Sequence, residues 1–411
     1  MSFSPQAYHD EDAALGSLRR RWGIVALLYV ATWWLSYQLL LGAWHTGLAE
    51  RWRYFSAIMA LILLAILWRG LPYNRRSEAS HLWPTLGHAN WLSLVRGILL
   101  FLLAGFIFLP RPTIALTWLP ALLYTADRVT DLFDGYLARV TRRESKLGAI
   151  LDIELDGLGL LVAVILGVQY GLLPMWYLLL AVSRQLFVLG LTLRRWTGQP
   201  SRELPPSDNR RVIRGYQTGF LTVMLWPIMT PAITHLAAYL FAVPLIYSFG
   251  RDWLVVSHVI DPTTRAYARA RAAIKGLFEH WLPMIARLTL VYYTGIVLWS
   301  YLHDEQRWTS FASPWALPAT IWVRVALAGI CIVAAVLVVS GVAARLFALV
   351  LLALAVFTVG VHGLQWQGNG WLFVSSVLVT HLGSGRFALW RPEEQWLRTQ
   401  YGKRASCTVT V

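Results

Sequence analysis

Along most of this chain, apolar runs long enough to cross the ~30 Å hydrocarbon core of a bilayer alternate with short polar segments. The pattern predicts twelve spanning helices, near 24–44, 55–69, 91–109, 114–139, 148–170, 173–193, 215–235, 237–256, 284–302, 319–340, 343–362 and 369–384. The run at 55–69 is the shortest of them. An even number of crossings puts both termini on one side. The alternation is interrupted at 257–283, where Thr263 to Trp281 has no proline and mixes basic residues with Ile274, Leu277, Phe278 and Trp281. That stretch reads either as an amphipathic helix on an anionic leaflet or as a solvated linker.

Composition sharpens the class. Of 411 residues, 57% are hydrophobic and 14% charged, where an ordinary soluble domain carries about 25% charged residues. A disordered chain, a coiled coil and a typical soluble enzyme are excluded, leaving an all-α, polytopic integral membrane protein. The 22 tryptophans and 17 tyrosines suit rings that collect at membrane interfaces. The formal charge is +15. Nucleic acid is not the expected partner, because the arginines cluster at the ends of apolar runs. Arg69, Arg75 and Arg76 fall in one inter-helix segment, Arg142, Arg143 and Lys146 in another, and Arg194 to Arg214 in a third. All fall on the cytoplasmic side if both termini are cytoplasmic. Arg19, Arg20 and Arg21 precede the first run, as in an uncleaved anchor. Cys331 lies inside an apolar run and Cys407 in the polar tail, so no disulfide is expected.

Charge inside the runs is concentrated in one place. Asp127, Arg128, Asp131, Asp134 and Arg139 lie in the fourth run, and Asp152, Glu154 and Asp156 in the fifth. Charged side chains within membrane helices are costly and mark function. Asp131 and Asp134 are three apart and Asp152 and Asp156 four apart, so each pair shares a helix face. Glu154 points elsewhere. The short turn from Thr141 to Leu147 makes the two helices antiparallel neighbours whose acids meet near the cytoplasmic end. Four converging carboxylates call for a cation, and hard oxygen ligands suit Mg²⁺, Mn²⁺ or Ca²⁺. Gly135, Ala138 and Gly148 permit close approach of a helix or a ligand. Arg139 suits a phosphate. Together these residues describe a site for a pyrophosphate-containing substrate.

In order, the residues read Asp131-x-x-Asp134-Gly135-x-x-Ala138-Arg139, eight residues, then Gly148-x-x-x-Asp152-x-x-x-Asp156. This resembles the signature of the CDP-alcohol phosphotransferase family. Asn90, Ser93 and Arg96 resemble the family's opening pattern, Ser145 its usual Ser or Thr, and Gln217 the start of a later helix. The resemblance covers roughly 85–256 and implies a six-helix core. It implies Mg²⁺ or Mn²⁺ held by Asp131, Asp134, Asp152 and Asp156, with Asp156 also the catalytic base. Gly135, Ala138, Arg139, Ser145 and Gly148 would contact the CDP moiety, with Asp127 supporting the ligands from one turn away. The implied reaction moves a phosphatidyl group from CDP-diacylglycerol to an alcohol in phospholipid biosynthesis, with release of CMP. Membrane lipids are the implied surroundings, and a homodimer is compatible with them.

The acceptor is less constrained. Ser183-Arg184-Gln185 and Leu193-Arg194-Arg195 resemble the fourth core helix of phosphatidylglycerophosphate synthases, although an Arg-Glu pair is usual there and Gln185 departs from it. Arg184 and Arg211, with Arg214, are the residues expected to meet an acceptor phosphate such as that of glycerol 3-phosphate. Inositol phosphate, serine and other alcohols stay open. Arg194 and Arg195 read equally well as membrane anchors. Farther on, Arg287 to Gly295, Pro318 to Arg324, Gly341 to Arg345 and Gly383 to Phe387 resemble the DoxX-like family of four-helix membrane proteins. His362 and His381 show no haem-ligand spacing. The expected layout is thus 1–84 with two extra helices, 85–256 the transferase core, 257–283 a linker, and 284–411 a DoxX-like domain with its tail. The competing reading is a transporter or scaffold using the acids as an ion site, although the broken helices and repeats of transporters are not in the pattern.

Overall fold

The computed structural model describes residues 5–76, 81–113, 116–140, 144–202, 208–318, 320–385 and 387–390. Among these, the architecture is helical, with one isolated bridge between Val342 and Trp390. The helices are α1 (Pro5–Ala43), α2 (Thr46–Gly70), α3 (His88–Ala104), α4 (Leu119–Val140), α5 (Lys146–Gln169), α6 (Tyr177–Ala181), α7 (Ser183–Trp196), α8 (Asp208–Met224) and α9 (Pro231–Val256). They continue as α10 (Arg265–Gly276), α11 (Leu282–His303), α12 (Glu305–Ala312), α13 (Ile321–Ser340), α14 (Ala344–His362) and α15 (Trp371–Leu382).

By length and composition, 6 stretches among the described residues can cross a membrane: 11–43, 46–73, 231–256, 265–303, 321–340 and 344–362. These carry half of the twelve expected spans, including the short run at 55–69. The other expected spans fall on helices that are shorter or carry charge. Two of the expected spans are interrupted or end early. The run at 173–193 is two helices, α6 and α7, interrupted at Val182 with neither glycine nor proline to mark the break. The run at 215–235 ends at Met224 instead, ahead of Pro227, whose missing N–H and ring disfavour a helix interior; Pro231 opens α9 at its first turn. The basic stretch after 257 is helical, capped by Thr264, and passes through a π-type turn at Leu277–Trp281 straight into α11.

The chain divides into two compact units, one formed by 1–182 and 221–227 and the other by 183–220 and 228–411. In the first unit, α3 is the hub, packing on α2, α4 and α5. The Trp52 indole donates to the Leu102 carbonyl (3.1 Å) and the Tyr29 hydroxyl to the Leu94 carbonyl (2.9 Å), locking α3 to α2 and α1. Gly97 makes this possible, since a Cβ there would overlap the Tyr29 hydroxyl. Gly97→Ala should therefore destabilise the protein by about 1–3 kcal/mol through overpacking. Adding Tyr29→Phe should recover part of that loss, read as the melting temperature in detergent. Full stability of the single variant would show that α1 and α3 are not so closely seated.

α4 reverses the amphipathic pattern of a soluble protein. Asp127 is buried and Asp131 half-buried, while Leu122, Val129, Leu132 and Phe133 are exposed, as suits a helix whose outer face meets lipid.

In the second unit, the segments around Arg287, Gly341 and Ser384 meet at one end of the helices, whereas Pro318 to Arg324 lies at the other end of α13. Arg287 is buried and donates to the carbonyls of Val339, at the end of α13, and Ser384, after α15. Gly341 (φ +72°) takes a left-handed turn where a Cβ would lie 2.6 Å from Ala388. At the same end of the helices, α8 and α9 meet α14 and α15. The Tyr216 hydroxyl donates to the Thr380 carbonyl (2.8 Å) and accepts from Arg345, and the His381 ring lies 4.6 Å from that of Tyr216.

Candidate active site

The acids predicted from spacing lie in the first unit, on α4 and α5. Carboxylate oxygens of Asp131, Asp152 and Asp156 all fall within 4.8 Å of one another. α4 and α5 do not supply the whole arrangement, because α3 packs against both and places an arginine among their acids. The Arg96 guanidinium lies 2.7 Å from Asp131 and 3.4 Å from Asp127 on α4. It lies 3.2 Å from Asp152 and 2.8 Å from Asp156 on α5. Arg128 adds a second cation, 2.5 Å from Asp127 and 3.0 Å from Asp156, with its guanidinium 5.5 Å above the Tyr124 ring. The sequence expectation that the converging acids need a cation is thus met in part by the chain's own arginines.

Exposure separates a floor from a rim. The Arg96 side chain is 0% exposed and that of Asp127 3%, whereas Asp152 and Asp156 are 54% and 50% exposed. Asp131 is intermediate at 29%. A ligand entering the site therefore meets Asp152, Asp156 and Asp131, while Arg96 and Asp127 hold them from below. Oxygens that share one hard cation at ~2.1–2.5 Å lie roughly 3–5 Å apart, so this rim fits a divalent ion.

The start of α5 is tied to the same framework. Ser145 caps it, its hydroxyl accepting from the Gly148 N–H at 2.9 Å. The Asn90 amide donates to the Ser145 hydroxyl (3.4 Å) and to the Asn74 side-chain carbonyl (3.3 Å). Asn74 in turn donates to the carbonyls of Trp83 and Thr85. Gly148 is required by close approach, because a Cβ would stand 2.9 Å from the Asn90 side-chain oxygen.

Other predicted residues are placed less fully. Asp134, Gly135, Ala138 and Arg139 lie on the α4 backbone, but their side chains are outside the described residues. Glu154 is exposed and outside the acid cluster. Arg184 lies in the first turn of α7, in the second unit, and is exposed. Arg211 lies on α8 with its side chain outside the described residues, and Arg214 is exposed. The buried arginine of this domain is Arg96, not Arg184. The flanking pattern Asn90, Ser93 and Arg96 does not by itself disclose the role of the Arg96 charge. The available signal was a lone arginine inside the third apolar run, which has to meet an anion.

Residues 86–248 match the family model described as CDP-alcohol phosphatidyltransferase. This region contains every residue of the acid cluster and both arginines. It is a CDP-alcohol phosphatidyltransferase domain. The chain is 37% identical over 89 residues to the CDP-diacylglycerol–glycerol-3-phosphate 3-phosphatidyltransferase of Cereibacter sphaeroides, covering 21% of this chain and 39% of that protein. It is 37% identical over 73 residues to the Bacillus subtilis protein of the same name, covering 18% and 38%. It is 29% identical over 136 residues to a Mycobacterium tuberculosis protein named as a candidate cardiolipin synthase, covering 33% and 63%. The chain thus spans about two fifths of the first relative's length. No solved structure matches it. The phosphatidyltransferase domain and the apolar helices make this an integral membrane protein.

Proposed function

We propose that the chain transfers the phosphatidyl group of CDP-diacylglycerol to the hydroxyl of an alcohol, releasing CMP. The observation that carries this reading is the trio of carboxylate oxygens from Asp131, Asp152 and Asp156 within 4.8 Å, braced by a buried arginine inside the phosphatidyltransferase domain. Asp131, Asp134, Asp152 and Asp156 would hold Mg²⁺ or Mn²⁺. When bound, such an ion supplies positive charge to the pyrophosphate and to the departing CMP. Asp156, on the exposed rim, takes the proton from the acceptor hydroxyl as its oxygen attacks the phosphatidyl phosphorus. The bond from that phosphorus to the bridging oxygen breaks, and CMP leaves with the electron pair. Gly135, Ala138, Arg139, Ser145 and Gly148 would contact the CDP moiety. Arg96 and Arg128 keep the acids at their spacing.

We assign glycerol 3-phosphate as acceptor, with Arg184 and Arg211 receiving its phosphate, as the names of the relatives favour. The site opens to the cytoplasm of a bacterial inner membrane, with both termini on that side. The transferase core is 85–256, and 284–411 is a DoxX-like unit. An ion-relay reading fits less well, because a guanidinium fixed among the acids obstructs cation passage between them.

The test is purified full-length protein with CDP-diacylglycerol and a panel of glycerol 3-phosphate, glycerol, inositol phosphate, serine and phosphatidylglycerol. CMP release should depend on the acceptor and be greatest with glycerol 3-phosphate. Release that ignores the alcohol would contradict transfer. Excess EDTA should abolish release, and Mg²⁺ or Mn²⁺ should restore it; undiminished release in EDTA would remove the metal from the account.

A further inference from the structure

A second polar site lies within the 183–220 and 228–411 unit. The ends of α11 and α14, the helix α12 and the turn at Trp366–Gly370 line an open cavity of about 480 Å³. Its volume is in the range of small-molecule sites. Arg307, His362, Gln365 and Asn369 line it, with Val297 and Trp366 as apolar wall.

These polar groups divide into frame and unspent capacity. Asn369 belongs to the frame: its amide donates to the Gly363 carbonyl (2.9 Å) and its oxygen accepts from the Gln365 N–H (2.8 Å). His362 is held beside the Tyr301 ring, at 5.8 Å between centroids, yet its Nε2 is buried without a hydrogen-bond partner among the described residues. Arg307 makes no ion pair among the described residues; its guanidinium reaches the Gln365 side-chain oxygen at 3.5 Å, the outer limit of a hydrogen bond. The nearby carboxylate of Asp304 caps α12 by accepting from the Arg307 backbone N–H (3.0 Å). The cavity therefore presents a forked cation and a buried ring nitrogen next to an apolar wall.

We propose that this cavity binds an oxyanion, a carboxylate or phosphate group carried on a partly apolar molecule. The planar fork of Arg307 matches two oxygens of such a group. His362 Nε2, protonated in the neutral tautomer, donates to a third position. Val297 and Trp366 take the apolar part. The anion can come from a soluble molecule or from a lipid headgroup, and two experimental arms separate these sources.

In the first arm, delipidated full-length protein in neutral detergent is titrated calorimetrically with benzoate and with inorganic phosphate. In the second, the protein in nanodiscs of phosphatidylcholine is compared with nanodiscs containing phosphatidylglycerol, and retained lipid is counted by native mass spectrometry. Binding is expected in at least one arm, weakened at least tenfold by both Arg307→Gln and His362→Gln. The arm that responds names the source. Arg307 is exposed, so Arg307→Gln should melt at the wild-type temperature without ligand. If it melts early, His362→Gln alone decides. Absence of binding in both arms, or binding that neither variant weakens, overturns the proposal.

Discussion

Arg96→Met is expected to cost about 3–5 kcal/mol of stability in EDTA, because breaking a buried ion-pair network leaves carboxylates without their partner. Asp127 is the acid most affected, being buried beside Arg96 with Arg128 as its other cation. Arg96→Lys should lie between wild type and Arg96→Met, since one ammonium cannot reach acids on both α4 and α5 as a guanidinium fork does. A second readout separates this role from simple packing. With less positive charge among the acids, Mn²⁺ should bind Arg96→Met at least tenfold more tightly than wild type, and should raise its melting temperature more. Both quantities are accessible by thermal unfolding and Mn²⁺ titration in detergent. Wild-type melting in EDTA together with unchanged Mn²⁺ affinity would show that Arg96 does not balance the acids.

The second large effect is expected at Asp156. Removing a general base typically costs 10²- to 10⁴-fold in turnover, so Asp156→Asn should lose about that much CMP release. It should still hold CDP-diacylglycerol to within a few fold if, as proposed, Asp131, Asp134 and Asp152 hold the divalent ion that would bind the pyrophosphate. Asp131→Asn should weaken donor binding as well as turnover. Glu154→Gln, altering an exposed acid outside the cluster, should leave both nearly unchanged. Equilibrium binding of labelled donor, measured beside single-turnover CMP release, separates the cases. Near-normal turnover in Asp156→Asn would move the base elsewhere.

The acids were legible because helical periodicity needs no tertiary information. Asp152 and Asp156, four apart, share a face whatever surrounds them, and α4 and α5 form close to where their apolar runs place them. What a linear pattern does not carry is which third helix stands between two others. Arg96 is six residues beyond Asn90 on α3, and its partners are 31 to 60 residues away in sequence. The same reason hid Asn74, whose contacts tie the segment before α3 to the capped start of α5. Helix ends failed where proline intervened, at Pro227 and Pro231, and at Val182, where the residues carry no breaker. In the second unit, the Gly341 and Ser384 pattern was visible, but its meaning required Arg287 to be seen donating to both neighbouring segments. The contact of Tyr216 with Thr380 likewise joins residues 164 apart.

The central claim is that these acids catalyse transfer of a phosphatidyl group. It is tested most directly by CDP-diacylglycerol carrying ³²P in its phosphatidyl phosphate, incubated with glycerol 3-phosphate, Mg²⁺ and purified full-length protein. The account predicts that label moves into a new acidic phospholipid in step with CMP release, and that Asp152→Asn/Asp156→Asn protein of equal melting temperature transfers none. Label remaining in the donor with wild-type protein under every acceptor, or transfer undiminished in the double variant, would contradict it.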